Sequence, residues 1–109
     1  MENINYKWII SATPCKPKEG VLENVVSEIH WRLEAYNENY TAETYGVVNV
    51  YEPIEENFTP YESLTKDQVV SWVIKELGEK LEKIKENLNN DLFLQANPVK
   101  VSLPLPFIN

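Results

Sequence analysis

A chain of 109 residues has the usual size of one domain and can bury a single modest core. Its 17 acidic residues outnumber its 10 basic residues, and the net charge of −7 argues against nonspecific binding to nucleic acid or to anionic membranes. The first residues lack the pattern of a signal peptide and no apolar run is long enough to span a bilayer, so we expect a cytosol-like compartment. The single cysteine, Cys15, excludes an intrachain disulfide.

Three segments have the composition and period of β-strands. Tyr6–Ala12 is rich in aromatic and β-branched residues, and Lys16–Gly20 after it is predicted to be a turn. Val25–Tyr36 alternates apolar and polar residues, which predicts one core face and one solvent face. Thr44–Tyr51 is the third strand, and Gly46 within it predicts a β-bulge. Strands with one face in water favour antiparallel pairing.

One long amphipathic helix is predicted after a proline-containing loop. Thr65 and Gln68 have the spacing of a capping box, and Leu64 precedes them as a hydrophobic staple. The helix is expected to continue through Gly78 and to end within Asn90–Gln95. Apolar residues at steps of three and four form a stripe that must be buried, and they are Val70, Val73, Ile74, Leu77, Leu81, Ile84, Leu88 and Leu92.

The C-terminal segment, residues 99–109, has the pattern of extended chain. Pro104 and Pro106 have the same parity and remove ladder donors on one side, so the segment can only be an edge strand or a tail laid on a surface. The predicted fold class is α+β, a three- to four-stranded antiparallel meander with the long C-terminal helix packed on one face. Residues 1–98 would form the single domain, followed by this extended segment.

A partner surface is predicted at two places. The helix is longer than a three-stranded sheet is wide, so its distal part, Ile84–Leu94, is expected to overhang and meet another chain. The C-terminal segment displays apolar residues on a stiff extended chain suited to docking. The predicted partner-binding residues are Val101, Leu103, Leu105, Phe107, Leu88 and Leu92.

The sequence predicts no catalytic, cofactor-binding or metal site. His30 lies on the polar strand face between Glu28 and Arg32, but no local motif places a nucleophile beside it. Cys15 is next to Lys16, a cation able to lower a thiol pKa, yet an ordinary unpaired loop cysteine is the favoured interpretation. Glu52, Glu55 and Glu56 are interpreted as a solvated acidic loop, and the glycosylation sequons at Asn39 and Asn57 as chance matches. Trp8, Trp31 and Trp72 could form an aromatic binding site, but Trp31 and Trp72 fall at predicted core positions, so packing is the favoured interpretation.

The loop Phe58–Thr65, the helix start Val69–Val73 and the Leu-Pro-Leu-Pro-Phe ending at Phe107 carry a family resemblance. The chain resembles a group of small proteins of tailed bacteriophages. In that group a Pro-Phe or Pro-Tyr loop leads to a Leu and then to a Val and a Trp in a helix, and a late Asn-Pro precedes a Leu-Pro-Trp-like ending. This chain has Phe107 at the position of that final Trp. The resemblance implies a phage-encoded, virion-associated protein and carries over no catalytic residues.

The expected function is therefore that of a non-enzymatic phage structural or accessory protein, a component of the head, neck or tail. It would be found in the virion, and in the host cytoplasm before assembly. Its expected partners are other phage structural proteins or further copies of itself, without nucleic acid or membrane. Two alternatives stay open: an acidic phage regulator that binds and inhibits a host protein, and a small hydrolase, which requires a nucleophile beside His30 in the folded chain.

Overall fold

The structure, a computed structural model, describes residues 3–50 and 58–108. Within these residues the chain is α+β, with antiparallel strands in two sheets followed by two helices. The elements are β1 (Asn5–Ala12), β2 (Cys15–Glu19), β3 (Leu22–Val26), β4 (Glu28–Tyr36), β5 (Thr41–Asn49), α1 (Lys66–Leu77) and α2 (Lys80–Ala96). A 3₁₀ helix, Tyr61–Ser63, precedes α1. Neither α1 nor α2 is long and apolar enough to cross a membrane.

The main sheet has the strand order β1-β4-β5, with antiparallel pairing throughout. This order confirms the predicted antiparallel meander. The predicted strand Val25–Tyr36 is interrupted at Ser27, because Val25 and Val26 belong to β3 and pair with β2, and only Glu28–Tyr36 forms β4. In β4 every second side chain is apolar and is buried against the helices. The side chains between them lie on the opposite face of the sheet and are half-buried or exposed. The alternation arises because successive side chains of a strand point to opposite faces. The buried residues of β4 are Ile29, Trp31, Leu33 and Ala35.

A second, two-stranded sheet is formed by β2 and β3, which lie between β1 and β4 in the chain. The prediction of a turn at Lys16–Gly20 is therefore wrong, because β2 extends through Glu19 and pairs with β3. The turn is confined to Gly20 and Val21, where Gly20 adopts a φ of +63°. Pro17 is tolerated within β2 because the β2–β3 ladder skips Pro17 and Asn24, and Asn24 has a φ of +52°.

Gly46 is a position of close approach and not a β-bulge. The β4–β5 ladder is continuous across it, with Gly46 directly opposite Trp31. A Cβ atom at Gly46 would lie 2.7 Å from Cζ2 of Trp31, so the indole ring occupies the space that a side chain would need. The register shift of the main sheet lies instead in β1, between Ile10 and Ala12.

The predicted single helix is divided into two at Gly78. Gly78 has φ +52° and ψ −126°, and its N–H still donates to the carbonyl of Ile74 at 3.0 Å. Because the chain changes direction there, α2 packs across β4 and β5, and Leu88 and Leu92 are each 3% exposed. The expected overhang of the distal helix is therefore wrong. The second helix ends at Ala96, one residue beyond the predicted range.

The start of α1 confirms half of the predicted capping box. Thr65 Oγ1 accepts a hydrogen bond from the N–H of Gln68 at 3.2 Å, as a helix N-cap does. The Gln68 side chain does not bond back to Thr65 but donates to Thr59 Oγ1 at 2.9 Å. This bond ties the preceding loop to the first turn of the helix.

The buried face of the helices differs slightly from the predicted apolar stripe. Val69, outside the predicted stripe, is buried, whereas Ile74 is 40% exposed. The helices contribute Val69, Val73, Leu88 and Leu92 to the core, with Val70, Leu77, Leu81 and Ile84 half-buried around them. The break at Gly78 explains the shift, because each of the two helices orients its own face toward the sheet.

Substitution of Gly78 by Ala is expected to lower the free energy of unfolding by about 1–3 kcal/mol. The backbone conformation of Gly78 has a positive φ that an L side chain rarely adopts, although nothing crowds the position sterically. Urea unfolding of the variant measures the loss. Glu79→Ala is the matched control, since the exposed Glu79 already has helical angles. An unchanged or increased stability of Gly78→Ala would contradict this account of the break.

Candidate interaction surface

The C-terminal segment is the largest run of exposed apolar side chains in the described part of the chain. After α2, residues 97–108 form neither helix nor strand. The segment therefore does not join the sheet in this structure. Its exposed apolar side chains, between 61% and 98% exposed, are Val99, Val101, Leu103, Leu105, Phe107 and Ile108. Soluble chains rarely present such a contiguous apolar surface without a binding partner.

A groove of about 620 Å³ lies between β1 and the start of α1. Its apolar lining is Ile9, Ile10, Leu64 and Val69. Lys7, Lys66 and Thr65 line it as well. At one end a hydrogen bond of 2.8 Å between the hydroxyls of Thr13 and Tyr61 connects the end of β1 to the 3₁₀ helix. The lining residues include no carboxylate, although the chain as a whole is acidic.

The outer edge of β1 borders this groove. Two hydrogen bonds, from Val50 N–H to Ser27 C=O and from Asn37 N–H to Tyr40 C=O, show which residues of β4 are hydrogen-bonded to β5. Odd-numbered residues of β4 therefore bond to β5, and even-numbered residues bond to β1. It follows that the backbone groups of Tyr6, Trp8 and Ile10 point away from β4. Within residues 3–50 and 58–108, no strand pairs with that edge.

The predicted partner-binding residues fall into two groups. Those of the C-terminal segment are exposed, as a docking segment requires. Leu88 and Leu92 lie in the chain's own core, where they pack with residues of the sheet. Their burial follows from the break at Gly78, and neither residue belongs to the interaction surface.

His30 lies on the face of β4 that is opposite the helices. Its Nε2 atom is 3.2 Å from Oε2 of Glu28, two residues earlier on the same strand. In the described part of the chain, no serine or cysteine is within hydrogen-bond distance of the His30 ring. The nucleophile that the hydrolase alternative requires is thus not brought to His30 by these residues.

Cys15 does not have the environment of an activated thiol. Burial raises the pKa of the Cys15 thiol, and its Sγ donates to the carbonyl of Thr13 at 3.1 Å. The neighbouring Lys16 pairs with Glu19 at 3.4 Å. The possibility that Lys16 lowers the thiol pKa is therefore not realised, since desolvation acts in the opposite direction.

Alkylation of Cys15 by iodoacetamide is expected to be slower in the folded protein than in the urea-unfolded chain at neutral pH. Because the folded pKa is raised, less thiolate is present, and the rate should rise at higher pH than in the unfolded chain. The raised pKa of Cys15 also stabilises the folded protein. This contribution is fully present below the pKa of the thiol in the unfolded chain and is lost as the pH rises through its pKa in the folded protein. Mass spectrometry of timed reactions gives both pH profiles, with Cys15→Ser as the blank. If the alkylation rate of the folded protein rose at lower pH than that of the unfolded chain, the result would contradict a raised pKa of Cys15.

The remaining candidates provide no site within the described residues. No cluster of three His, Cys, Asp or Glu residues suited to a metal ion occurs there. Glu52, Glu55 and Glu56, and the sequon residue Asn57, lie outside the described residues. Trp8 and Trp31 pack edge to face with ring centroids 5.7 Å apart, and Trp72 packs against the same core. The predicted core position of Trp31 is confirmed, and Trp72 is half-buried against that core, as is Trp8.

The groove beside β1 was not predicted from the sequence. Its residues come from two regions more than 40 positions apart in the chain, and only the fold brings them together. One signal was present, because Leu64 preceding the Thr65 cap indicated a hydrophobic contact at the helix start. The sequence did not indicate which strand would lie beside that contact.

These elements define a small α+β domain in which two helices cover one face of a three-stranded antiparallel sheet, with an exposed apolar segment after the last helix. The chain belongs to the family described as a domain of unknown function, DUF7936, which matches residues 3–107. Comparisons with curated proteins and with solved structures give no match. The family match includes both the folded domain and nearly all of the C-terminal segment.

Proposed function

We propose that this protein is a non-enzymatic component of a tailed-phage virion, at the head, neck or tail, that acts by docking on other proteins. The observation that carries the proposal is the exposed C-terminal segment. It presents five regularly spaced apolar side chains, Val99, Val101, Leu103, Leu105 and Phe107, on a chain with two prolines that lower its conformational freedom. A stiff extended segment loses little entropy on binding, so its apolar contacts contribute more fully to affinity.

The distribution of charge is consistent with docking through this segment. Residues 97–108 include Lys100 and no carboxylate, whereas the whole chain has a net charge of −7. The negative charge is therefore carried by the rest of the chain, and the segment can approach an acidic protein surface without like-charge repulsion. The phage origin rests on the resemblance of the Phe58–Thr65 loop and the helix start.

The test of the proposal is mass spectrometry of purified phage particles, with the copy number measured against the major capsid protein. The expected result is a reproducible stoichiometric signal, at many copies for a capsid or tail component and at few copies for a vertex or neck component. Reproducible absence would overturn the proposal. Capture of one host protein at low salt and its loss at high salt would then favour the acidic regulator.

Deletion of residues 99–109 is expected to leave the domain folded and to remove the protein from particles. The apolar side chains of the segment are exposed, so their loss creates no cavity in the core. Circular dichroism and urea unfolding test the fold, and particle mass spectrometry tests incorporation. A matched control replaces Lys100 and Ser102 by Ala, which keeps the apolar residues and should keep incorporation. Unfolding of the truncated protein would contradict the assignment of the segment as a docking element.

A further inference from the structure

We propose that the outer edge of β1 and its groove bind the C-terminal segment of a second copy of this chain, as an added antiparallel strand. The inference deepens the proposed function and rests on it in one respect, namely that the segment is a docking element. Reciprocal exchange of two segments would give a closed, two-fold symmetric dimer.

The edge of β1 has the backbone groups that an added strand needs. The groups of Tyr6, Trp8 and Ile10 point away from β4, as the ladder parity shows. An unpaired edge of this kind is a template for an extended peptide, whose main chain supplies affinity while alternate side chains supply specificity. The register shift after Ile10 ends the regular edge, so the added strand would pair mainly with Tyr6–Ile10.

The prolines of the segment permit pairing on one side only. Pro98, Pro104 and Pro106 are all even-numbered, so their missing N–H groups lie on one side of an extended chain. The odd-numbered residues keep every donor on the opposite side. The segment can therefore join a sheet as an outermost strand, with its odd-numbered backbone groups toward β1.

If the odd-numbered residues of the segment pair with β1 in an antiparallel ladder, their apolar side chains lie on the face of the sheet that the helices cover. Residues directly opposite each other in an antiparallel ladder have side chains on the same face of the sheet. The odd-numbered residues would face Tyr6, Trp8 and Ile10, all of which pack against the core. Their side chains would thus lie on the helix side of the sheet, where Leu64 and Val69 line the groove.

The chain's own segment enters from the wrong end for this arrangement. Gln95 Nε2 donates to the carbonyl of Thr41 at 2.9 Å, so α2 ends beside the start of β5. Thr41 pairs with Tyr36, and Tyr36 pairs with Asn5 at the start of β1. A segment that leaves from there and follows the β1 edge of its own chain would run parallel to β1. Parallel pairing would place the odd-numbered side chains on the opposite, polar face.

The area available reaches the lower end of the range for specific complexes. Full burial of an aliphatic side chain removes roughly 60–120 Å² of apolar surface, so the three odd-numbered residues opposite Tyr6, Trp8 and Ile10 supply roughly 180–360 Å² from each segment. With two segments exchanged and comparable area covered on the grooves, the interface would bury about 720–1,440 Å². Specific protein complexes of standard size bury roughly 1,200–2,000 Å².

The first test uses the full-length chain. Sedimentation equilibrium is expected to show a dimer, and a sample mixed from ¹⁵N-labelled and ¹³C-labelled copies should give intermolecular NOEs between the segment and the amides of Tyr6, Trp8 and Ile10. Hydrogen exchange at these three amides should slow as protein concentration rises. Monomers with a free segment, NOEs within one copy along a parallel strand, or a dimer joined elsewhere would each overturn the proposal.

Two single variants test whether the odd-numbered side chains of the segment lie on the apolar face of the sheet. Leu103→Asp places a charge on the apolar face of the added strand and should raise the dimer dissociation constant about tenfold or more. Ser102→Asp places the same charge on the opposite face and should change it less than about threefold. Both residues are exposed, so neither change should unfold the domain. Equal effects of the two variants would overturn the antiparallel register.

The outcome is separable from that of the proposed function. A monomeric protein that is nevertheless present in particles would refute exchange between copies while leaving virion docking intact. A dimer with the expected NOEs that is absent from particles would support the exchange and refute the virion assignment.

Discussion

Truncation of Leu88 to Ala is expected to lower the free energy of unfolding by about 2–5 kcal/mol. Leu88 lies on α2, is 3% exposed and packs in the core formed with β4 and β5, so removal of its side chain leaves a cavity. Domains of this size are stable by only about 5–15 kcal/mol, and the variant should therefore show a large shift in its urea midpoint. Tryptophan fluorescence follows the transition.

Leu94→Ala is the matched control for this prediction. Leu94 is on the same helix but is 39% exposed, and its truncation should cost well under half as much. The pair also distinguishes the two roles considered for Leu88. Unchanged stability of Leu88→Ala together with loss of partner binding would restore the prediction that the distal helix contacts another chain.

Introduction of a side chain at Gly46 is expected to have the second large effect. The Cβ atom of Gly46→Ala would lie 2.7 Å from Cζ2 of Trp31, well inside contact distance. The indole ring cannot easily move away, because it is buried and packs edge to face against Trp8. We expect a loss of about 1–3 kcal/mol in the free energy of unfolding for Ala and a larger loss for Val.

A double-mutant cycle tests this mechanism. Trp31→Leu alone should be destabilising because it leaves a cavity, but it also removes the ring that crowds Gly46. The cost of Gly46→Ala should then be smaller in the Trp31→Leu background than in the natural chain. Val47→Ala, adjacent to Gly46 and 53% exposed, is the control and should change stability by less than about 0.5 kcal/mol. Additive effects of the two changes would show that the contact is not the cause.

Local patterns predicted the elements whose environment is simple. The two-faced period of Val25–Tyr36 predicted the buried side of β4, since a strand between solvent and core repeats every two residues. The Thr65 cap was predicted because its partner is three residues away. The fold class followed from the order of these elements.

Errors arose where a residue's role depends on distant contacts. Gly78 was predicted to remain within a helix, because helix propensity alone makes glycine only mildly unfavourable there. The break lets each of the two helices turn its own apolar face toward the same sheet, and these contacts join residues that are distant in the sequence. Gly46 was predicted to form a bulge, whereas the Trp31 ring on the neighbouring strand explains it. Neither contact is visible in a window of neighbouring residues, and the same holds for the groove beside β1.

The hairpin formed by β2 and β3 offers a practical location for a reporter. Its tip, Gly20 and Val21, is exposed and has open space around it. Its base is held by hydrogen bonds from the N–H groups of Ser27 and Glu28 to the carbonyl of Pro14. An epitope of a few residues inserted between Gly20 and Val21 would leave the main sheet, both helices and the C-terminal segment unaltered. Antibody labelling at that tip would allow the position of the protein within a larger assembly to be seen by electron microscopy.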